Sequence, residues 1–223
     1  MIDFTQKKYF LFDMDGTMVD LEQLNYECFK FACKEKLNMH LSFEEYMQYM
    51  AGAGSTQGFI NYLQSVEKSH NVKELVGIYR EQKTVALETQ FSEVVALKPG
   101  IKDFLGLLVS KGYKLAVGTS TARHFAEKIL KGAGLYDYFH AIIAVEDAPR
   151  TKPAPDIFLK ALELLGGNVN EAIVFEDSKN GVESAKNGGF DCVVIRNVGK
   201  NDSVARNAPY VIDDYTALVS QFS

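Results

Sequence analysis

The 223-residue sequence predicts an α/β fold, a doubly wound, Rossmann-like parallel sheet core with an inserted all-helical cap domain. Three observations predict it. Short apolar runs suited to strands buried on both faces recur along the chain; they alternate with segments of helical period; and one long stretch after the first run holds helical segments only.

The first run, residues 8–12 (KYFLF), is stopped at once by Asp13. Similar runs follow at 114–117 (KLAV), 141–145 (AIIAV), 172–175 (AIVF) and 192–195 (CVVI), with 210–212 a sixth. Between them, residues 101–111, 124–132, 156–165 and 182–187 have helical spacing, and Gly112, Gly166 and Gly188 stand where helices end. Strands alternating with helices give βαβ units and a parallel sheet. From about residue 21 to 91 the chain instead reads LEQLNYECFKFACKEKL, FEEYMQYM, GFINYLQSVEK and VKELVGIYREQKTVALETQF, all amphipathic. The expected division is a core of residues 1–18 plus 95–223 and a helical cap of residues 19–94. Two linkers, near 17–21 and 91–98, would let the cap open and close.

With 47% hydrophobic and 24% charged residues the chain has the balance of a globular protein, not of a disordered or collagen-like one. Its net charge of -5 excludes a nucleic-acid or anionic-membrane footprint, which needs clustered Lys and Arg, so charge for binding an anion must be supplied locally. The three cysteines, Cys28, Cys33 and Cys192, are odd in number and lack CxxC spacing, so neither a disulfide framework nor a zinc site is expected. No apolar run approaches the ~18 residues of a membrane span, the first residues hold no apolar leader, and the expected location is cytoplasmic. A monomer and a dimer are equally compatible with the sequence.

In doubly wound sheets ligands bind beyond the carboxyl ends of the strands. Four of the strands lead into chemically loaded residues: three end in Asp13-Met14-Asp15-Gly16-Thr17, Gly118-Thr119-Ser120-Thr121 and Glu176-Asp177-Ser178, and the run at 141–145 is followed by Arg150-Thr151-Lys152-Pro153. Alone, DMDGT is as readily an Asx turn as a pair of carboxylates divided between nucleophile and general acid–base. Alone, Asp177 or Ser178 is more readily a helix cap, Thr119 an N-cap, and Lys152 a solvated loop lysine. Together they change meaning. Carboxylates from two strand ends repel unless a cation holds them, and Glu176 and Asp177 offer the oxygen donors that Mg²⁺ requires. Thr119 with the following backbone N–H groups suits an anion, and Lys152 would neutralise both a phosphate and the nucleophile. His40, His70, His124 and His140 form no metal-binding spacing.

The ordered set DMDGTMVD, VGTST, KPAPDIF and VFEDSKNGVESAKNGG closely resembles the four motifs of the haloacid dehalogenase superfamily, in the helical-cap branch that includes beta-phosphoglucomutase and many small-molecule phosphatases. The resemblance implies an aspartyl-phosphate mechanism with Mg²⁺ acting on a small phosphorylated metabolite. Asp13 would match the nucleophile, Asp15 the acid and base, Thr119 and Lys152 the phosphate binders, with Thr17 and Ser120 beside them. Asp13, Asp177, Glu176 and the Asp15 carbonyl would hold the metal. Dehalogenases of the superfamily lack the second aspartate of the first motif, so phosphoryl transfer is favoured. A beta-phosphoglucomutase-like sugar phosphomutase is the alternative, but the positions where those mutases carry Thr, His, Lys and Arg correspond here to Leu21, Asn25, Ala51 and Ser55. A phosphatase is the remaining reading. Asn25, Ser55 and Arg80, with Thr56, Gln57 and Lys83, are the cap candidates for substrate recognition.

Overall fold

The computed structural model describes residues 4–197 and 200–222; the expected core ends at residues 1 and 223 lie outside them. The chain divides into two compact units, Met1–Asp20 with Leu97–Ser223, and Leu21–Ala96.

In the first unit β1 (Tyr9–Phe12) is the central strand. A two-residue strand, β2 (Val19–Asp20), follows where the chain leaves this unit. The second unit holds α1 (Glu22–Leu37), α2 (Phe43–Tyr49), α3 (Ser55–Ser65), α4 (Val72–Thr89) and α5 (Phe91–Val94). The first unit resumes after β3 (Ala96–Leu97) with α6 (Ile101–Ser110), β4 (Lys114–Gly118), α7 (Arg123–Gly132), β5 (Ala141–Ile143), α8 (Asp156–Leu165), β6 (Ala172–Glu176), α9 (Lys179–Asn187), β7 (Asp191–Ile195), α10 (Asp202–Arg206), β8 (Val211–Ile212) and α11 (Thr216–Phe222).

The main sheet has the order β5-β4-β1-β6-β7-β8, parallel throughout. The chain runs outward from β1 to β5 on one side, then returns to β6 on the other, so the strand order reverses at β1. The register pairs Phe12 with Val117 of β4 and with Phe175 of β6, which aligns the three carboxyl ends along one edge. Strand alternation sorts the apolar residues into two layers. Leu11, Ala116 and Val174 face α8 and α9 with Ile157, Phe158, Ala161, Leu162 and Ala185. Phe10, Phe12 and Phe175 form an aromatic layer with Phe104, Tyr215 and Phe222; Phe12 and Phe175 stack at 4.6 Å and Phe104 and Tyr215 at 5.5 Å. Offset-stacked and edge-on pairs of this kind add to the burial of large apolar area.

Local chemistry explains most boundaries. α8 ends at Leu165 because Gly166 adopts a left-handed conformation, φ 70°, at its C-cap. α9 starts at Lys179, three residues before the expected 182, because the Ser178 hydroxyl accepts the Gly181 N–H at 3.0 Å. The run AIIAV is strand only to Ile143, and Val145–Asp147 is a 3₁₀ turn capped by Asp147, which accepts the Ala144 N–H at 2.7 Å.

In the second unit α1 packs on α4, with α3 against α4. Phe29 sits between Phe59 and Tyr79, ring centroids at 4.8 and 4.7 Å, so these aromatics are packing residues; Phe31 is exposed. Ser42 and Glu45 form a capping box at the start of α2.

Candidate active site

The register sets the site. One residue beyond β1, the Asp13 N–H donates to the Phe175 carbonyl at 2.9 Å, so Asp13 stands beside Glu176; one residue beyond β4, the Thr119 N–H donates to the Ile143 carbonyl at 2.9 Å. After Asp13 the chain folds back on itself, with Gly16 N–H to Val19 O at 2.7 Å and Met18 N–H to Met14 O at 2.9 Å. Gly16 has φ +84°, and a Cβ there would lie 2.2 Å from Asp177 Oδ2. Glycine is therefore required twice over, by the backbone and by the approach of Asp177.

Lys152 is buried, with Nζ donating to Asp13 Oδ1 at 2.5 Å and to Glu176 Oε1 at 2.7 Å, and lying 4.6 Å from the Phe158 ring centroid. Its loop is tied to α9: the Ser184 hydroxyl donates to the Ala154 carbonyl at 2.7 Å and Asn187 Nδ2 to the Pro153 carbonyl at 2.9 Å. Burial pulls the Lys152 pKa down, but the Asp13 and Glu176 charges outweigh it and raise it above the ordinary lysine value. Burial pushes Asp13 up to about 7, against the pull of Lys152 and with a further push from Glu176. One ammonium thus serves two carboxylates. The remaining negative charge favours a second cation.

Asp13, Glu176 and Asp177 offer carboxylate oxygens that all lie within 4.8 Å of one another. An all-oxygen donor set fits a hard divalent cation such as Mg²⁺. Glu176 also holds its neighbours: Oε2 accepts the N–H groups of Asp177 and Ser178, each at 2.7 Å, and the Ser178 hydroxyl at 3.0 Å. Since Ser178 caps α9, Asp177 is not needed as a cap; its Oδ1 accepts the Thr17 hydroxyl at 3.4 Å. Asp15, partly buried in the turn, adds no carboxylate to the group of three. Thr119 is buried, but α7 begins only at Arg123, so Thr119 does not stand at that helix N-terminus as expected. Its Oγ1 accepts the Thr121 N–H at 3.1 Å, and the partly buried Ser120 lies between.

Within the second unit, Asn25 Oδ1 accepts from Lys83 Nζ and from the Tyr79 hydroxyl, each at 2.8 Å, and Lys83 is only 3% exposed. Ser55, first residue of α3, and the exposed Arg80 take no part in that cluster.

Residues 10–195 match the model of the haloacid dehalogenase-like hydrolases. The chain belongs to this family. Among relatives of the haloacid dehalogenase-like chain is the phosphorylated carbohydrates phosphatase of Thermotoga maritima, 30% identical over 182 residues, 81% of each chain. Protein CbbY of Rhodobacter capsulatus is 26% identical over 221 residues, 96% of each. The crystal structure of CbbY from Rhodobacter sphaeroides in complex with phosphate superposes with a TM-score of 0.83 at 24% identity, covering 95% of this chain and 96% of that one, a likeness of fold.

Four residues important to this haloacid dehalogenase-like site escaped the sequence reading. Asn197 and Asn201 follow β7, the strand end left without a chemical reading; Asn197 Nδ2 donates to Asp177 Oδ2 at 2.9 Å. Tyr215 donates its hydroxyl to the Thr17 carbonyl at 3.1 Å. Gly181 leaves the space that Glu176 fills. The asparagines could have been found by inspecting the residues after CVVI; nothing local marks Tyr215 or Gly181.

Proposed function

We propose that the protein is a Mg²⁺-dependent phosphatase that hydrolyses a small phosphorylated metabolite through an aspartyl-phosphate on Asp13. The observation that carries this reading is the buried Lys152 bridging Asp13 and Glu176 beside Asp177. Asp13, Asp177 and the Asp15 carbonyl, with Glu176 adjacent, would hold the cation, which when bound offsets the repulsion between anionic nucleophile and phosphoryl group. An Asp13 carboxylate oxygen bonds to phosphorus as the ester oxygen departs with a proton from Asp15. Asp15 then takes a proton from water, whose oxygen attacks phosphorus and frees phosphate and Asp13. Lys152, the Thr119 hydroxyl, Ser120 and Thr17 neutralise and orient the phosphoryl oxygens. Asn25, Ser55 and Arg80, with Lys83, are the helical unit's candidates for substrate recognition. The phosphatase named for Thermotoga maritima supports the same class of substrate.

A panel of phosphate esters assayed with Mg²⁺ and with EDTA tests this. Phosphate release that requires Mg²⁺ and vanishes in Asp13→Asn is expected; no release across the panel, or full activity in Asp13→Asn, overturns it. Isomer formation without net phosphate release would replace it with the sugar phosphomutase reading.

A further inference from the structure

Asp177 would be drawn outward by repulsion from Asp13 and Glu176 unless something fixed it, and the structure supplies that restraint from the end of β7. Asn197 and Asn201 are both buried, at 8% and 7% exposure. Asn197 Nδ2 donates to Asp177 Oδ2 at 2.9 Å and to the Gly16 carbonyl at 3.0 Å. Its Oδ1 accepts from Lys98 Nζ, and its backbone N–H donates to Asn201 Oδ1 at 2.8 Å. Asn201 Nδ2 donates to the Asp177 carbonyl at 2.7 Å and the Ile195 carbonyl at 2.9 Å.

The partners fix which way the Asn197 amide points. A carboxylate and a carbonyl accept only, so the NH₂ must face them; an ammonium donates only, so the oxygen must face Lys98. Lys98 also polarises the amide and strengthens its NH₂ as a donor. Lys98 Nζ lies 3.9 Å from Asp20 Oδ2, and Lys200 Nζ lies 3.3 Å from the same oxygen. The points where the chain leaves and rejoins the core are therefore linked to the amide that holds Asp177.

We infer that Asn197, oriented by Lys98 and Asn201, is a positioning residue that fixes the distance between the Gly16 turn and the Asp177 carboxylate, and so sets the affinity of the site for its divalent cation. The inference rests on the reading that Asp177 is a cation ligand. Residues that orient metal ligands in this way are worth about 10- to 100-fold in affinity.

Substrate-free protein titrated with Mn²⁺ and followed by electron paramagnetic resonance, with Mg²⁺ as competitor, reads the effect without turnover. Asn197→Ala is expected to raise both dissociation constants about 10- to 100-fold, and saturating Mg²⁺ is expected to recover most of kcat. Asn197→Asp, which turns an acceptor toward Asp177, is expected to weaken binding further. Lys98→Met leaves Asn197 in place but without its orienting charge, and is expected to show a smaller weakening of the same kind. Wild-type affinity in folded Asn197→Ala, or in Lys98→Met should the first variant not fold, overturns the inference. Mn²⁺ binding that depends on Asn197 in a protein that releases no phosphate overturns the phosphatase reading and leaves the positioning role standing.

Discussion

Gly181→Ala tests the packing beneath the site, because two physical arguments give it opposite signs. Gly181 lies in the first turn of α9, where intrinsic propensity alone favours alanine by about 1 kcal/mol. Yet a Cβ at this position would lie 1.7 Å from Glu176 Oε1 and 1.8 Å from Cδ. Either α9 moves away or Glu176 swings out. Glu176 is fully buried, so it has no solvated alternative, and displacing it removes the acceptor for Lys152, the Asp177 and Ser178 N–H groups and the Ser178 hydroxyl. Hydrogen bonds to charged groups contribute about 1.5–3 kcal/mol each, and overpacking alone costs about 1–3 kcal/mol. Loss of one such bond added to overpacking, less the propensity gain, gives a net loss of about 3 kcal/mol, a fall of about 6–12 °C in the melting midpoint for a chain of this size. Urea unfolding and calorimetry measure it. Wild-type or higher stability in Gly181→Ala would refute the account of Glu176 as a buried brace.

Three further outcomes follow from the same geometry. The Asp13 carboxyl, pushed up to about 7 by burial, holds a proton in the folded metal-free chain that the unfolded chain has lost. Its contribution to stability is therefore present at acid pH, falls as pH rises from about 4 to about 7, and is flat above; the stability of wild type relative to Asp13→Asn in EDTA, scanned from pH 4.5 to 8, should decline across that window, and a constant difference would contradict the shift. Gly16→Ala, which strains φ +84° and meets Asp177 Oδ2, should fold with reduced stability and lose Mg²⁺-dependent activity; retained cation affinity by titration would show that Asp177 does not lean on that turn. Asp15→Asn should lower kcat by about 10²–10⁴-fold on alkyl phosphates, and by less in the first step with p-nitrophenyl phosphate, whose leaving group needs no proton; equal losses on both would remove Asp15 from the role of acid.

The sheet was legible because strands buried on both faces are short apolar runs, and the helices because their apolar spacing and stop residues are local. Residues 156–165 coincide with α8 for that reason. The two-residue strands Val19–Asp20 and Ala96–Leu97 were not legible, since they form by pairing across a long stretch of sequence and carry no period of their own. Helical spacing marks α9 only from residue 182, because Lys179, Asn180 and Gly181 carry no apolar period; its start at Lys179 shows only in the Ser178 hydroxyl's acceptance of the Gly181 N–H. Asp13 and the Glu176–Asp177 pair stand directly after apolar runs, and Lys152 lies in the loop that follows another, so the sequence marks all three. The asparagines behind Asp177 did not, because an amide acquires its role only from the carboxylate, carbonyl and ammonium that the fold gathers round it.

The most direct test of the central claim is capture of the covalent intermediate. Protein mixed with a phosphate ester and Mg²⁺ is quenched within a turnover, treated with borohydride to reduce any acyl phosphate to the alcohol, digested and mapped by mass spectrometry. Conversion of Asp13 to homoserine, dependent on substrate and Mg²⁺ and unaffected at Asp15 and Asp177, is the expected result; phosphate release with Asp13 unmodified and the modification at another residue would contradict it.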